Sequence, residues 1–179
     1  MASGAGKSAA FILLTLNLML YFIVTIIAAW AINHGIERAR ETAECYPLGC
    51  AASTLSIPAR IFPIYFPFGN MATGFFIIFS LIAGVVGFIT SVTGITNIIQ
   101  SNLSNLHAAA ASSLITWSLT LLAMGLACKE IEIGWTDSNL RSLETLMIIL
   151  SGTQLFCMGT IHVGVEDVIS RQRIRGGRV

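Results

Sequence analysis

The stretch SAAFILLTLNLMLYFIVTIIAAWAINHGI, residues 8–36, lies between Lys7 and Glu37 and contains no Asp, Glu, Lys or Arg. A helix that crosses a membrane needs about 20 predominantly apolar residues. The stretch is also longer than the roughly 7–15 apolar residues of a cleaved signal peptide. It therefore predicts a transmembrane helix near residues 9–32, and a cleaved signal peptide is the alternative.

Two further stretches lack charged residues, one between Arg60 and Lys129 and the other between Glu144 and Glu166. The first is too long for one span, and a polar, uncharged segment from Ser91 to His107 divides it. The apolar runs are continuous, which favours helices over the alternating strands of a barrel. The sequence therefore predicts an all-α fold, a single membrane domain built as a four-helix transmembrane bundle. The expected spans are residues 9–32, 69–90, 108–127 and 143–165.

The composition excludes several classes of protein. Hydrophobic residues make up 55% of the chain and charged residues only 11%, and the mean hydropathy is +0.79. Soluble domains carry about 25% charged residues, so the lipid bilayer is the expected environment. A net charge of +1 gives no electrostatic basis for binding nucleic acid. The spans offer no catalytic triad or metal cluster, so we expect neither an enzyme nor a cofactor.

The orientation is predicted from the basic residues. Four spans place both termini on one side, and the ten Lys and Arg residues divide evenly between the two sides. The positions of the basic residues therefore decide the orientation. A cluster of four arginines lies just beyond the last span: Arg171, Arg173, Arg175 and Arg178. Such clusters are attracted to anionic cytoplasmic lipid. We expect cytoplasmic termini, an exterior loop over residues 33–68 and a basic cytoplasmic tail over residues 166–179. The tail either binds specific lipids or only sets the topology.

The cysteines suggest a covalent constraint in that exterior loop. Cys45 and Cys50 flank a Tyr-Pro-Leu-Gly sequence, and a disulfide persists in an oxidising exterior. Cys128 is a rival partner, and the sequence alone does not fix the pairing. Cys157 falls inside the fourth span, where a small buried apolar residue is expected.

Small and polar residues inside the spans predict how the helices associate. Helices in lipid pack through close backbone approach and hydrogen bonds. One face of the second span carries a stripe of small residues, and the first and fourth spans carry three isolated polar groups. The stripe consists of Ser80, Gly84, Gly87 and Ser91, and the polar groups are Asn17, Gln154 and His162. The polar groups either form interhelical hydrogen bonds or line a solute path.

The segment before the second span has an unusual composition. Residues 57–70 contain three prolines, and proline disfavours helix in the preceding residue. Arg60 stands there among Phe62, Tyr65 and Phe66. This combination suits an organic anion, with the aromatic rings packing against a ring of the ligand. The alternative is an interfacial aromatic belt with a snorkelling arginine.

Several of these segments resemble the plant ABA-induced wheat plasma-membrane polypeptide (AWPM-like) family. They are NHGIER at 33–38, IPARIFPIYFP at 57–67, GNMATGFF at 69–76 and FSLIAGVVG at 79–87. The resemblance implies a four-span plasma-membrane protein of plants, linked to abscisic acid, seed maturation, and drought or cold tolerance. For at least one branch of the family it implies abscisic acid influx. No binding residue is carried over, and a disulfide between Cys45 and Cys50 is not part of the family pattern.

The sequence therefore leaves two alternative functions. In the first, the protein facilitates abscisic acid influx, because an ionised carboxylate needs a positive partner in apolar surroundings. Arg60 is then the anion partner, with Asn17, Gln154 and His162 as path groups. We expect no acidic residue within the spans, so tight ion coupling is not expected and passive uniport is. Four helices enclose a narrow path, so a homo-oligomer is a further expectation. In the second, the protein is a structural tetraspan that stabilises the plasma membrane during dehydration without solute flux.

The predicted orientation can be tested in intact cells. Epitope tags fused to the two termini should both resist external protease and become accessible only after permeabilisation. Tags found on opposite sides of the membrane would contradict the four-span topology.

Overall fold

In the computed structural model, the described residues are 3–45, 71–100, 103–133 and 138–176, and all of them are helical. The four helices are α1 (Ser3–Cys45), α2 (Met71–Gln100), α3 (Leu103–Ile133) and α4 (Ser138–Gly176).

Each helix contains a segment that is long and apolar enough to cross a membrane. The segments are Ser8–Glu37, Ala72–Ile99, Ala108–Glu132 and Ser138–Glu166. A helix satisfies its own backbone N–H and C=O groups, as hydrocarbon surroundings require. The predicted all-α class and the four membrane-spanning helices are confirmed.

The helices extend past the predicted spans because polarity alone does not end them. α2 continues to Gln100, through the polar stretch that begins at Ser91. The hydroxyl of Thr93 donates to the carbonyl of Ile89, and that of Thr96 to the carbonyl of Thr93. These hydroxyl groups form their hydrogen bonds with carbonyl groups of their own helix. The helix can therefore continue beyond the apolar part of the sequence.

The helices form an antiparallel ring in which each one packs against two others: α1 on α2, α2 on α3, α3 on α4, and α4 on α1. This is the up-and-down arrangement of a four-helix bundle. Large side chains from three of the helices fill the interior, and other large apolar side chains face outward, as lipid contact allows. The largest fully buried apolar residues are Tyr21, Val24, Phe76, Ile77, Leu143, Met147 and Leu150.

α1 and α2 pack closely against each other at two glycines of α2. A Cβ atom at Gly87 would lie 2.4 Å from the ring of Tyr21, and one at Gly84 would lie 2.6 Å from Oγ1 of Thr25. Ser80 and Ser91 are buried on the same helix. The two glycines therefore let the backbone of α2 approach α1 more closely than any side chain would permit.

The glycines of α4 differ from those of α2. A Cβ atom at Gly152 or Gly159 would meet no atom within 4 Å. Gly159 is exposed and lies on the same helical face as Phe156 and Val163, both about two-thirds exposed. These glycines therefore lie outside the contacts between the helices of one chain.

The two sets of glycines predict opposite effects of one substitution. Gly87→Ala should destabilise the bundle by about 1–3 kcal/mol, the usual range for overpacking, because the new methyl group overlaps the Tyr21 ring. Gly159→Ala is the matched control and should be neutral or stabilising by up to about 1 kcal/mol, since alanine favours helix over glycine. Unfolding of both variants in detergent, followed by circular dichroism, would measure the difference. Equal stability of the two variants would show that the α1–α2 contact is looser than described.

Candidate functional site

Two polar residues one turn apart on α1 face the interior of the bundle. Asn17 and Tyr21 are fully buried. Nδ2 of Asn17 donates to Oε1 of Gln154 on α4 at 2.9 Å, and the hydroxyl of Tyr21 lies 2.9 Å from Oγ1 of Thr120 on α3. Tyr21, Thr120 and Gln154 lie near the middle of their membrane-spanning segments. The bundle is therefore joined across its midplane by side-chain hydrogen bonds.

The bonds at the midplane have a defined direction. Oγ1 of Thr120 donates to the carbonyl of Thr116 at 2.8 Å. A threonine hydroxyl has one hydrogen, so Tyr21 is the donor in its bond to Thr120. Oγ1 of Thr116 also contacts Oγ1 of Thr90 on α2 at 2.9 Å. We call the set formed by Asn17, Tyr21, Thr90, Thr116, Thr120 and Gln154 the central polar cluster.

The central polar cluster contains two of the three polar groups predicted as a solute path. The amides of Asn17 and Gln154 bond to each other, while Oδ1 of Asn17 is buried and has no partner among the described residues. His162 lies apart from them, half-buried, with Nδ1 2.9 Å from the carbonyl of Met158 on its own helix. The geometry fits interhelical hydrogen bonding at Asn17 and Gln154, and it does not bring His162 to them.

Two buried glutamates lie inside the bundle near the C-terminal end of α3. Oγ1 of Thr73 donates to Oε1 of Glu130 at 2.7 Å, and Glu130 is 0% exposed. Glu144, on α4, is 7% exposed and is repelled electrostatically by Glu130. The expectation of spans without acidic residues is therefore wrong, because Glu130 and Glu144 both lie in membrane-spanning segments. We call Glu130 and Glu144 the acid pair.

The sequence contains a pattern that predicts the burial of Glu130, but the charged residues beside Glu130 obscure it. Glu130 stands between Lys129 and Glu132, which are exposed and bonded to each other at 2.6 Å, so the three together look like the end of a span. Spacings of four and three residues mark one helical face, and Glu130 continues the buried face of α3. That face consists of Thr116, Thr120, Ala123, Ala127 and Glu130.

An open groove between α1 and α4 lies near the acid pair. One wall is apolar, and the other contains a guanidinium group and three hydroxyls. The groove is open along most of its surface, and its volume is about 690 Å³. Ser138, the first residue of α4, stands at its end, where the helix dipole favours anions. The α1–α4 groove is lined by Ile23, Ile27, Ser138, Arg141, Ser142, Thr145 and Leu146.

The other predicted site residues fall outside what the structure describes. Arg60, Phe62, Tyr65, Phe66 and Cys50 lie outside the described residues, as does the side chain of Cys45. Cys128 is a free, exposed thiol, and Cys157 is free and buried. Within the described ranges, no group of His, Cys, Asp and Glu side chains is arranged to hold a metal ion.

Comparison with known proteins identifies relatives along most of the chain. The model of the AWPM-19-like family matches residues 15–164. Membrane protein PM19L of Oryza sativa subsp. japonica is 38% identical over 164 residues, which cover 91% of this chain and 82% of that protein. No solved structure matches the chain.

The bond between Asn17 and Gln154 predicts an energetic coupling between α1 and α4. Asn17→Ala and Gln154→Ala should each destabilise the protein, because each leaves a buried amide unpaired. A double-mutant cycle should give a coupling of about 0.5–2 kcal/mol, the range of interhelical hydrogen bonds in membranes. Thr15, which bonds only to the carbonyl of Phe11 on its own helix, provides the control cycle with Gln154. A coupling no larger than that of the control would contradict the contact.

Proposed function

The chain belongs to the AWPM-19-like family of membrane proteins, and on that premise we propose that it facilitates the influx of abscisic acid, or of a similar weak organic acid, across the plasma membrane. The process would serve seed maturation and the response to drought or cold. Two things support the proposal. The sequence resembles a family that has abscisic acid influx in at least one branch, and the α1–α4 groove has the chemistry of a site for an amphiphilic anion.

The α1–α4 groove is the observation that carries the proposal. An ionised carboxylate enters apolar surroundings only with a positive partner, and Arg141 lines the groove beside the apolar side chains of Ile23 and Ile27. A guanidinium binds a carboxylate through two parallel hydrogen bonds. The apolar wall suits the hydrocarbon body of the same ligand.

Arg60 belongs to the connection between α1 and α2, whose ends are Cys45 and Met71. In an antiparallel ring these helix ends lie at the same end of the bundle as Ser138 and Arg141. With cytoplasmic termini, that is the exterior end, where the solute arrives. In this proposal Arg60, with Phe62, Tyr65 and Phe66, receives the anion before it reaches Arg141.

A second candidate function is a structural one, in which copies of the protein assemble and organise the membrane. The open face of α4 favours it. A Cβ atom added at Gly152 or Gly159 would meet no atom within 4 Å, and Phe156, on the same face, is 68% exposed. Small residues at such a face allow another helix to approach closely. Self-association without solute flux would support this function in place of the first.

Uptake into liposomes that contain only this protein separates the two functions. The facilitator should give saturable uptake of labelled abscisic acid above that of empty liposomes. Arg141→Gln should lower the uptake about tenfold, the equivalent of about 1.4 kcal/mol, because the anion loses its charged partner.

The matched control is Lys129→Gln, which removes an exposed cation that is bonded to Glu132 and does not line the groove. Its uptake should equal that of the unsubstituted protein. Uptake no greater than that of empty liposomes would exclude the facilitator. Saturable uptake that Arg141→Gln leaves unchanged would remove the groove from the route, and Arg60→Ala would then test the segment before α2.

A further inference from the structure

We infer that the acid pair, Glu130 on α3 and Glu144 on α4, is a proton-binding site that holds one exchangeable proton at neutral pH. The inference concerns a site in the resting protein, and it does not depend on the proposed transport of a weak acid.

The hydrogen bonding of Glu130 leaves one oxygen for a proton. Oε1 accepts from Thr73 at 2.7 Å. Oε2 is buried and has no hydrogen-bond partner among the described residues. A buried carboxylate oxygen without a donor is costly if the group is ionised. A proton on Oε2 removes the cost of the buried charge and leaves the bond from Thr73 intact.

The charges around the pair favour a single proton. Burial disfavours the charged form of Glu144 most, Glu130 repels that charge, and Arg141, one turn earlier on α4, attracts it more weakly. Two carboxylates and one guanidinium carry a net charge of −1 when all are ionised. One bound proton makes the group neutral, which is the favourable state where water is excluded.

The other titratable groups whose side chains the structure describes at this end of the bundle are engaged elsewhere or exposed. On α3, Lys129 and Glu132 are exposed and bonded to each other. On α1, Glu37 is exposed, and the half-buried His34 stacks on Trp30. α2 contributes the uncharged hydroxyl of Thr73. Arg141 is therefore the cation that acts on the pair among the described residues.

The donor set favours a proton over a metal ion. The two carboxylates and the Thr73 hydroxyl supply at most five oxygens, so water would have to complete the six to eight ligands that Ca²⁺ takes. Among the described residues, no cluster of His, Cys, Asp and Glu reaches the size of a metal site. A proton needs only the single free oxygen that Glu130 provides.

The pair also has a route for exchange. Glu144 is 7% exposed, and Arg141 lines the open α1–α4 groove. A proton from water in the groove can add to a carboxylate of the pair, forming an O–H bond, and return to water by the reverse step. Ionisable groups within membrane-spanning segments commonly mark such proton sites.

Infrared spectroscopy of the full chain in lipid nanodiscs tests the inference without any solute. At about pH 7 an isolated glutamate is ionised. The acid pair should instead show the C=O stretch of a protonated carboxyl group, shifted by exchange into D₂O. Glu130→Gln should abolish the band, because it removes the carboxyl oxygen, Oε2 of Glu130, to which the inference assigns the proton. Glu144→Gln should shift its frequency, because the neighbouring charge is removed.

Glu132→Gln, which alters an exposed glutamate on the same helix, is the control and should leave the band unchanged. Circular dichroism should show equal helix content in all variants. Absence of the band in the unsubstituted protein would overturn the inference, and so would its survival in Glu130→Gln. A band that appears only after chelation would also overturn it, since the site would then hold a metal ion. Failure of liposome uptake would leave this result unaffected.

Discussion

The contact between Gly87 and the ring of Tyr21 is the constraint on which the bundle depends. A Cβ atom at position 87 would lie 2.4 Å from that ring, so the ring fits only against a glycine. Held there, the Tyr21 hydroxyl donates to Thr120 on α3. Lipid provides little hydrophobic drive for helices to associate. One residue of α1 therefore joins α2 by packing and α3 by a hydrogen bond.

Asn17, one turn from Tyr21, extends this arrangement to the fourth helix through its bond to Gln154. α1 thus contacts every other helix through two neighbouring residues near the midplane. A buried polar group that loses its partner costs more than the bond itself contributes, so each of these bonds also disfavours a shift in register between helices. The hydrogen bonds near the midplane fix the positions of the helices relative to one another, whereas the α1–α4 groove lies nearer one end of the bundle.

The sequence predicts the parts of this structure that depend on charge spacing and on small residues. Stretches without charge predict four helices, and the spacing of Gly84 and Gly87 predicts a face suited to close packing. The acid pair is missed because Glu130 adjoins exposed charges, and only its place in the four-and-three spacing of α3 marks it as buried. The partner of Tyr21 depends on how α1 and α3 face each other, which no local pattern encodes. The role of Arg60 stays a prediction, since Arg60 lies outside the described residues.

Arg141 links the α1–α4 groove to the acid pair. It lines the groove and attracts Glu144. An anion bound in the groove would compete with Glu144 for the charge of Arg141. If an organic anion binds Arg141, the acid pair loses part of its compensating charge and a second bound proton becomes more favourable. By reciprocity, a protonated pair frees Arg141 to bind an anion more tightly. Anion binding at Arg141 and protonation of the acid pair therefore favour each other.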